Sequence, residues 1–543
     1  MKTRTLILAL CALALANAVA HFAFFRWDMT QDKRYSLSPA TRELVHGMQG
    51  EPLEVRLLLD GQLNASFLRL RNAATELLDE FGVYGHISCS VSAPEEGERG
   101  IVEQLTPTVI HEKQKGGQTV QTQIWPYAIL SQGGRQTVVP LLRNNRGLSG
   151  EENINLSIEQ LEFAFAEGIS SLSRKEVSRI AFLEGHGELD ESYVYDLGAA
   201  LAKYFQVDRG SLTGDIRDIL PYKALIIADP QQPFSDADKY QLDQYVMHGG
   251  RILWAMDGVR FSEDILSKEG FTPVIALDLR LQDMLFRYGV RISPTLLQDM
   301  QCLPVPVNVS ADPENPNFQP MPWYYAPLLL TSQQSPVSKN LMQVSSTFCS
   351  GLEFVGEGDN LRKEVLLATS SASRALGVPA EVDLSLIELD KEQFHYAYIP
   401  VGAAIEGTFP SFFAHRMVPE GVVQTMPTLA ESEPTRQIVI ASGSVIRNEV
   451  QQGQPLPLGY DRYTGMQFAN RDLLVNAVLY LADDENLISL RGKELTLRLL
   501  NEKRARDMRT RVQTATILLP LLLLGITGAI FLLIRKKRYS QQA

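Results

Sequence analysis

Between residues 178 and 256 the apolar positions fall into short unbroken runs separated by stretches of helical spacing. The runs are 178–184 (SRIAFLE), 224–228 (ALIIA) and 251–256 (RILWAM), and each is followed closely by Gly or Asp. Runs this short and this apolar predict strands buried on both faces. Between the first two, Val194, Leu197, Leu201 and Tyr204 recur at helical spacing. Between the last two, Ser235 stands as N-cap of a helix reaching Met247, which Gly249-Gly250 stops. Strand, helix, strand, helix, strand predicts an open parallel sheet covered on both faces. Residues 436–441 (RQIVIA) repeat the strand character, and Asn470 is placed to cap a helix over 471–482. Residues 259–430 are therefore expected as an insertion or dependent subdomain. It holds a helical stretch, 278–288, and a loop with seven prolines between Pro304 and Pro327. Trp323, Tyr324 and Tyr325 lie in that loop, as a recognition surface or as pins to the core.

The segment 26–175 reads as a separate α/β unit. Residues 53–59 (LEVRLLL) have strand character and 66–81 have helical spacing. Residues 127–131 and 136–139 flank Gly133-Gly134 as a hairpin, and 158–172 predict a helix. The fold class expected is α/β: an N-terminal α/β domain plus an open, mostly parallel, doubly wound sheet domain with a long insertion, between two transmembrane helices. The second domain is placed at 176–485.

Two apolar runs bracket these domains. Residues 515–534 (ATILLPLLLLGITGAIFLLI) carry no charge and end at Arg535-Lys536-Lys537-Arg538. Twenty helical residues match a hydrocarbon core of roughly 30 Å, so this is expected to be a membrane helix. Residues 6–25 form a second run, broken by Asn17 and His21 and preceded by Lys2 and Arg4. It is expected as an uncleaved anchor over 1–25. The alternative is a signal peptide cut after Ala18-Val19-Ala20. The basic termini place both ends in the cytoplasm and the bulk of the chain outside it. Residues 486–514 are expected as a juxtamembrane helix, and 535–543 as a basic cytoplasmic tail.

A formal net charge of −12 disfavours nucleic acid as partner. Of four cysteines, Cys11 lies in the first apolar run. At most one internal bridge remains, with Cys302–Cys349 as one possibility. No phosphate-cradling GxxxxGK[ST] occurs, so no direct nucleotide binding is expected. No GxSxG, HExxH or calcium-loop spacing occurs either, so neither metal nor cofactor is expected. The one site-like cluster is Gly185-His186-Gly187-Glu188. It follows the first strand of the sheet, where ligands of open α/β sheets bind. His186 and Glu188 suit acid–base work, but no nucleophile accompanies them. Gly185, His186, Gly187 and Glu188 are read as a tight turn and as candidate ligand contacts. In the last apolar run Gly525 and Gly528 would let a neighbouring membrane helix approach closely.

The chain also resembles a known family. Residues 459–462 (GYDR), 470–484 (NRDLLVNAVLYLADD), 487–493 (LISLRGK) and 182–188 (FLEGHGE) are similar to the gliding-motility-associated ABC-transporter component GldG. So are 285–293 (LFRYGVRIS), 323–327 (WYYAP) and 35–38 (YSLS). The resemblance implies an auxiliary subunit with two spans in the bacterial inner membrane and its bulk in the periplasm, working beside an ABC permease subunit and a separate ATPase subunit. It implies no catalytic residues. The reading set against it is a membrane-anchored hydrolase or amidotransferase-like enzyme built on the open sheet.

Overall fold

The computed structural model describes residues 36–540, apart from 49–51, 96–99, 114–118, 144–148, 174–176, 309, 311–314, 316, 357–359, 385–390, 483–487 and 489–501. The expected first span, over 1–25, lies outside the described residues. The chain forms two compact units, 1–494 and 495–543.

In the first unit, strands β1 (Leu53–Leu57), β2 (Ile87–Val91), β3 (Tyr127–Gln132) and β4 (Arg135–Pro140) make a sheet of order β2-β1-β3-β4. The β3–β4 turn uses Gly133 and Gly134 at φ 57° and 76°, a geometry that side chains resist. Helix α1 (Ala65–Tyr84) is capped by Asn64, whose side chain accepts from the Phe67 N–H. The single helix expected over 158–172 is two, α2 (Gly150–Glu159) and α3 (Leu161–Ser173), parted at Gln160.

A ten-stranded sheet dominates the unit. Its strands are β5 (Arg179–Glu184), β6 (Gln206–Ser211), β7 (Tyr222–Ala228), β8 (Ile252–Ala255), β9 (Cys302–Asn308), β10 (Phe318–Thr331), β11 (Leu361–Ala368), β12 (Pro400–Gly407) and β13 (Thr435–Ile440). They lie in the order β9-β10-β11-β12-β13-β8-β7-β5-β6, with Val344–Ser345 pairing off β10. The five strands from β13 to β6 pair parallel. Helices α4 (Glu191–Leu201), α5 (Asp236–Met247) and α6 (Asn470–Ala482) belong to this half. Ser235 caps α5 in a capping box with Asp238. Trp254 is fully buried on β8 and donates its indole N–H to Gln437 at 3.1 Å.

Three expectations are corrected here. The sheet is mixed rather than mostly parallel, because residues read as an insertion supply β9 to β12, all antiparallel to their neighbours. Residues 302–308 and 318–331 of the proline-rich stretch form not a loop but the β9–β10 ribbon. Pro304 pairs with Pro322 and Pro306 with Pro320, at alternate positions. On each strand that spacing turns the missing N–H groups to the same side, and β9 is the sheet's edge, where proline is tolerated. Asn470 does not cap α6. Its carbonyl accepts from Ser345 N–H and Oγ, and its amide donates to the Ser345 and Val445 carbonyls, tying the helix start to two neighbouring segments.

Of the ribbon's aromatics, Trp323 and Tyr325 pack with Phe348 and Phe261 in a small apolar cluster, while Tyr324 meets Phe394. They pin the ribbon to its neighbours. Cys302 and Cys349 are both free thiols, and Cys349 is buried.

The second unit holds one continuous helix, α7 (Glu502–Ser540). Its stretch Val512–Lys537 is long and apolar enough to cross a membrane by length and composition, the one such helix among the described residues. Thr516 and Thr527 return their hydroxyls to the Val512 and Leu523 carbonyls at 2.6 and 2.8 Å, so neither leaves a bare polar group on the helix surface.

Candidate functional site

The parallel half of the sheet has the order β6-β5-β7-β8-β13. The chain leaves β5 for the edge strand β6, then returns to β7 on the other side of β5. The crevice beyond the carboxyl ends of β5 and β7 is thus the topological switch point, where open sheets of this order hold their ligands. Gly185-His186-Gly187-Glu188 follows β5 directly, so the sequence-predicted residues stand together at that point.

The crevice is filled by the protein's own groups. Gly185 and Gly187 take φ of 116° and 72°, which folds the loop back over the sheet. The His186 carbonyl accepts from the Gln231 and Gln232 N–H groups at 2.9 and 2.8 Å, stitching the loop after β5 to the loop after β7. The imidazole stacks on Phe234, with centroids 3.7 Å apart and planes within 8°. Its Nδ1 lies 3.3 Å from Glu188 and its Nε2 3.3 Å from Asp238. Glu188 also accepts from the His186 N–H at 2.6 Å. Burial opposes a charge on His186, but the hydrogen bonds and charges of Asp238 and Glu188 outweigh it and lift the pKa to about 9. At neutral pH the group is an imidazolium held between two carboxylates, with both ring nitrogens engaged. As placed, it offers no free nitrogen to act as a base.

One strand further on stands a cluster that sequence reading treated only as strand ends. Asp229 ends β7 with the left-handed φ of 53°, and Asp257 follows β8. The two carboxyl groups are hydrogen-bonded to each other, and both are at least nine-tenths buried. Gly443, after β13, donates its N–H to Asp257 at 2.7 Å. A β-carbon on Gly443 would overlap the Asp229 carboxyl, so glycine is required for the close approach. Gln231 donates to Asp229 at 2.9 Å. Burial raises both pKa values, that of Asp257 furthest because the Asp229 charge adds to it. Burial thus favours a proton on the pair, at Asp257 before Asp229. The signal available in the sequence was the repetition: two adjacent parallel strands both close on Asp.

Beside Asp257 lies a cavity of about 150 Å³, lined by Leu277, Leu279, Leu285, Ile292 and Gly258 among others. Among the described residues no group of three or more His, Cys, Asp or Glu is placed to hold a metal. Gly525 and Gly528 are on α7, and a β-carbon on either would meet nothing within 4 Å.

Residues 178–477 match the family model described as an ABC-type uncharacterized transport system, an ABC-transporter auxiliary family. Residues 31–131 match a domain of unknown function, DUF7088. No curated protein matches the chain. Among solved structures, the mmIFT52 N-terminal domain aligns at 15% identity and a TM-score of 0.33, covering 56% of this chain and 98% of its own.

Proposed function

The chain belongs to the ABC-transporter auxiliary family, and from that premise we propose that it is a non-enzymatic, membrane-anchored subunit coupling a periplasmic body to a separate permease and ATPase. The observation that carries this reading is α7. Its apolar stretch is exposed on every side, and a helix apolar all round needs lipid or a partner helix to cover it. Arg535, Lys536, Lys537 and Arg538 close one end, which supports a cytoplasmic C-terminus and a periplasmic body at the inner membrane. The clustered glycines at 525 and 528 supply the close-approach face for a permease helix. The sequence carries no nucleotide motif of its own, so energy must come from the partner. Kinship with the gliding-motility component GldG rests on the residues quoted above.

The alternative, an anchored hydrolase or amidotransferase-like enzyme, is less well supported. His186 is locked between two carboxylates. Ser442 and Ser444 bond one another at 2.9 Å, and Ser444 also bonds the Thr347 backbone. Neither hydroxyl is paired with a base.

Cys89, exposed on β2, is a native reporter of topology. In a variant lacking the other three cysteines, an impermeant maleimide should label Cys89 in intact spheroplasts. Labelling only after lysis would overturn the periplasmic placement. Independently, the permease and ATPase should co-purify with the tagged chain from membranes and be weakened by Gly525→Leu with Gly528→Leu. Recovery of neither protein with the native chain would sink the coupling role.

A further inference from the structure

The cavity beside Asp257 unites three features. It is walled mostly by apolar side chains, its charged lining residues are both carboxylates, and an unsatisfied hydroxyl lies against its wall. The carboxylates are Asp257, buried, and Asp278, at the exposed rim. Basic groups close by are already engaged: Arg447 pairs with Glu263 at 3.5 Å and Arg280 with Asp236 at 3.0 Å. The hydroxyl is Ser350 Oγ. It is fully buried and, among the described residues, is the only buried side-chain oxygen or nitrogen without a hydrogen-bond partner. It lies next to Gly258, which is in the cavity wall: a β-carbon on Gly258 would stand 2.7 Å from this oxygen. Native buried polar groups are almost always paired, so this orphan leaves the packing behind Gly258 incomplete.

We propose that this cavity binds a small primary ammonium with an apolar body, its charge against Asp257 and its carbon skeleton among Leu277, Leu279, Leu285 and Ile292. The two carboxyl groups share one proton and carry one negative charge between them. An ammonium cancels that charge at the buried Asp257, while a neutral alcohol of the same shape does not. The proton need not leave the pair: it passes from Asp257 to Asp229 along their existing hydrogen bond, and the charge then sits on the cavity side. An engineered apolar cavity of about this volume holds benzene, which sets the body at roughly six heavy atoms. The site is one strand away from the filled switch point, and it stands whether or not the chain couples to a permease.

The probes are cyclopentylamine, protonated at pH 7, and cyclopentanol, its neutral match. Saturation-transfer NMR on the full chain in detergent should show saturable binding of the amine at about millimolar concentration, at least tenfold tighter than the alcohol. Ala276, in the cavity wall and exposed, tolerates a larger side chain. Ala276→Leu should abolish amine binding with the melting temperature unchanged. Asp257→Asn keeps the shape and should remove the preference for the amine. Absence of amine binding, equal binding of both probes, or binding that survives Ala276→Leu would each overturn the site.

Discussion

Two buried acid–base clusters stand at the ends of neighbouring parallel strands, and they treat charge in opposite ways. At the end of β5, one imidazolium is met by two carboxylates and an aromatic face, and both ring nitrogens are used. At the ends of β7 and β8, two carboxyl groups face each other with one proton between them, beside open space. The first arrangement spends its groups on holding loops together. The second leaves a charge whose best partner is not in the chain. The contrast teaches that the position expected from sheet topology to bind a ligand can be the one the protein has filled, while the next strand end keeps the room.

The sharpest way to break the comparison is to remove one arm of the histidine clamp. Asp238→Ala leaves His186 with a single carboxylate and also deletes the capping box of α5. We expect a loss of about 3 kcal/mol, read by chemical denaturation at pH 7. A loss below about 1 kcal/mol would show that the imidazolium is not held by this pair.

Next is the glycine that lets the acid pair close. Gly443→Ala forces a β-carbon into the Asp229 carboxyl and should cost about 2 kcal/mol. A silent substitution would mean that the strand ends have slack.

The third test separates the clusters by pH. His186 has a folded pKa of about 9, above its unfolded value of about 6.5. Its stabilisation is therefore complete below pH 6.5 and is lost as pH rises through 9. The melting-temperature gap between the native chain and His186→Gln should narrow between pH 6.5 and 9.5. A constant gap would contradict a charged native imidazole.

At pH 5 the smallest effect is expected from Asp257→Asn. Asp257 is protonated in the folded chain and ionised in the unfolded chain above pH 4. The native protein therefore loses stability as pH rises from 4, and the amide removes that loss. The variant should lie within about 1 kcal/mol of native at pH 5 and gain relative to it by pH 8. A difference independent of pH would mean that Asp257 is ionised in the fold.

Much of the parallel half was legible because its signals are local. The runs 178–184, 224–228 and 251–256 and the Ser235 cap reappear as β5, β7, β8 and α5, shifted at most by two residues. Strand β6 (QVDRGS) was missed. It is polar and lies at the sheet's edge, so burial imposes no apolar run on it. At the site, the GHGE turn was visible as glycines around a histidine. Its partners were not, because Phe234 and Asp238 come from another loop and helix some fifty residues on.

The sequence by itself determined the apolar strands and the helices of the parallel half, the Gly-Gly hairpin and one apolar helix of spanning length, all of which depend on residue period and local φ preference. Tertiary structure alone decided the rest. It turned a proline-rich stretch into an edge ribbon by setting the prolines at alternate ladder positions. It brought Asp229 and Asp257 together because parallel strands align their ends whatever their separation in sequence. It filled the switch point and left the cavity beside Asp257, because close packing is a property of side chains meeting in space and has no period along the chain.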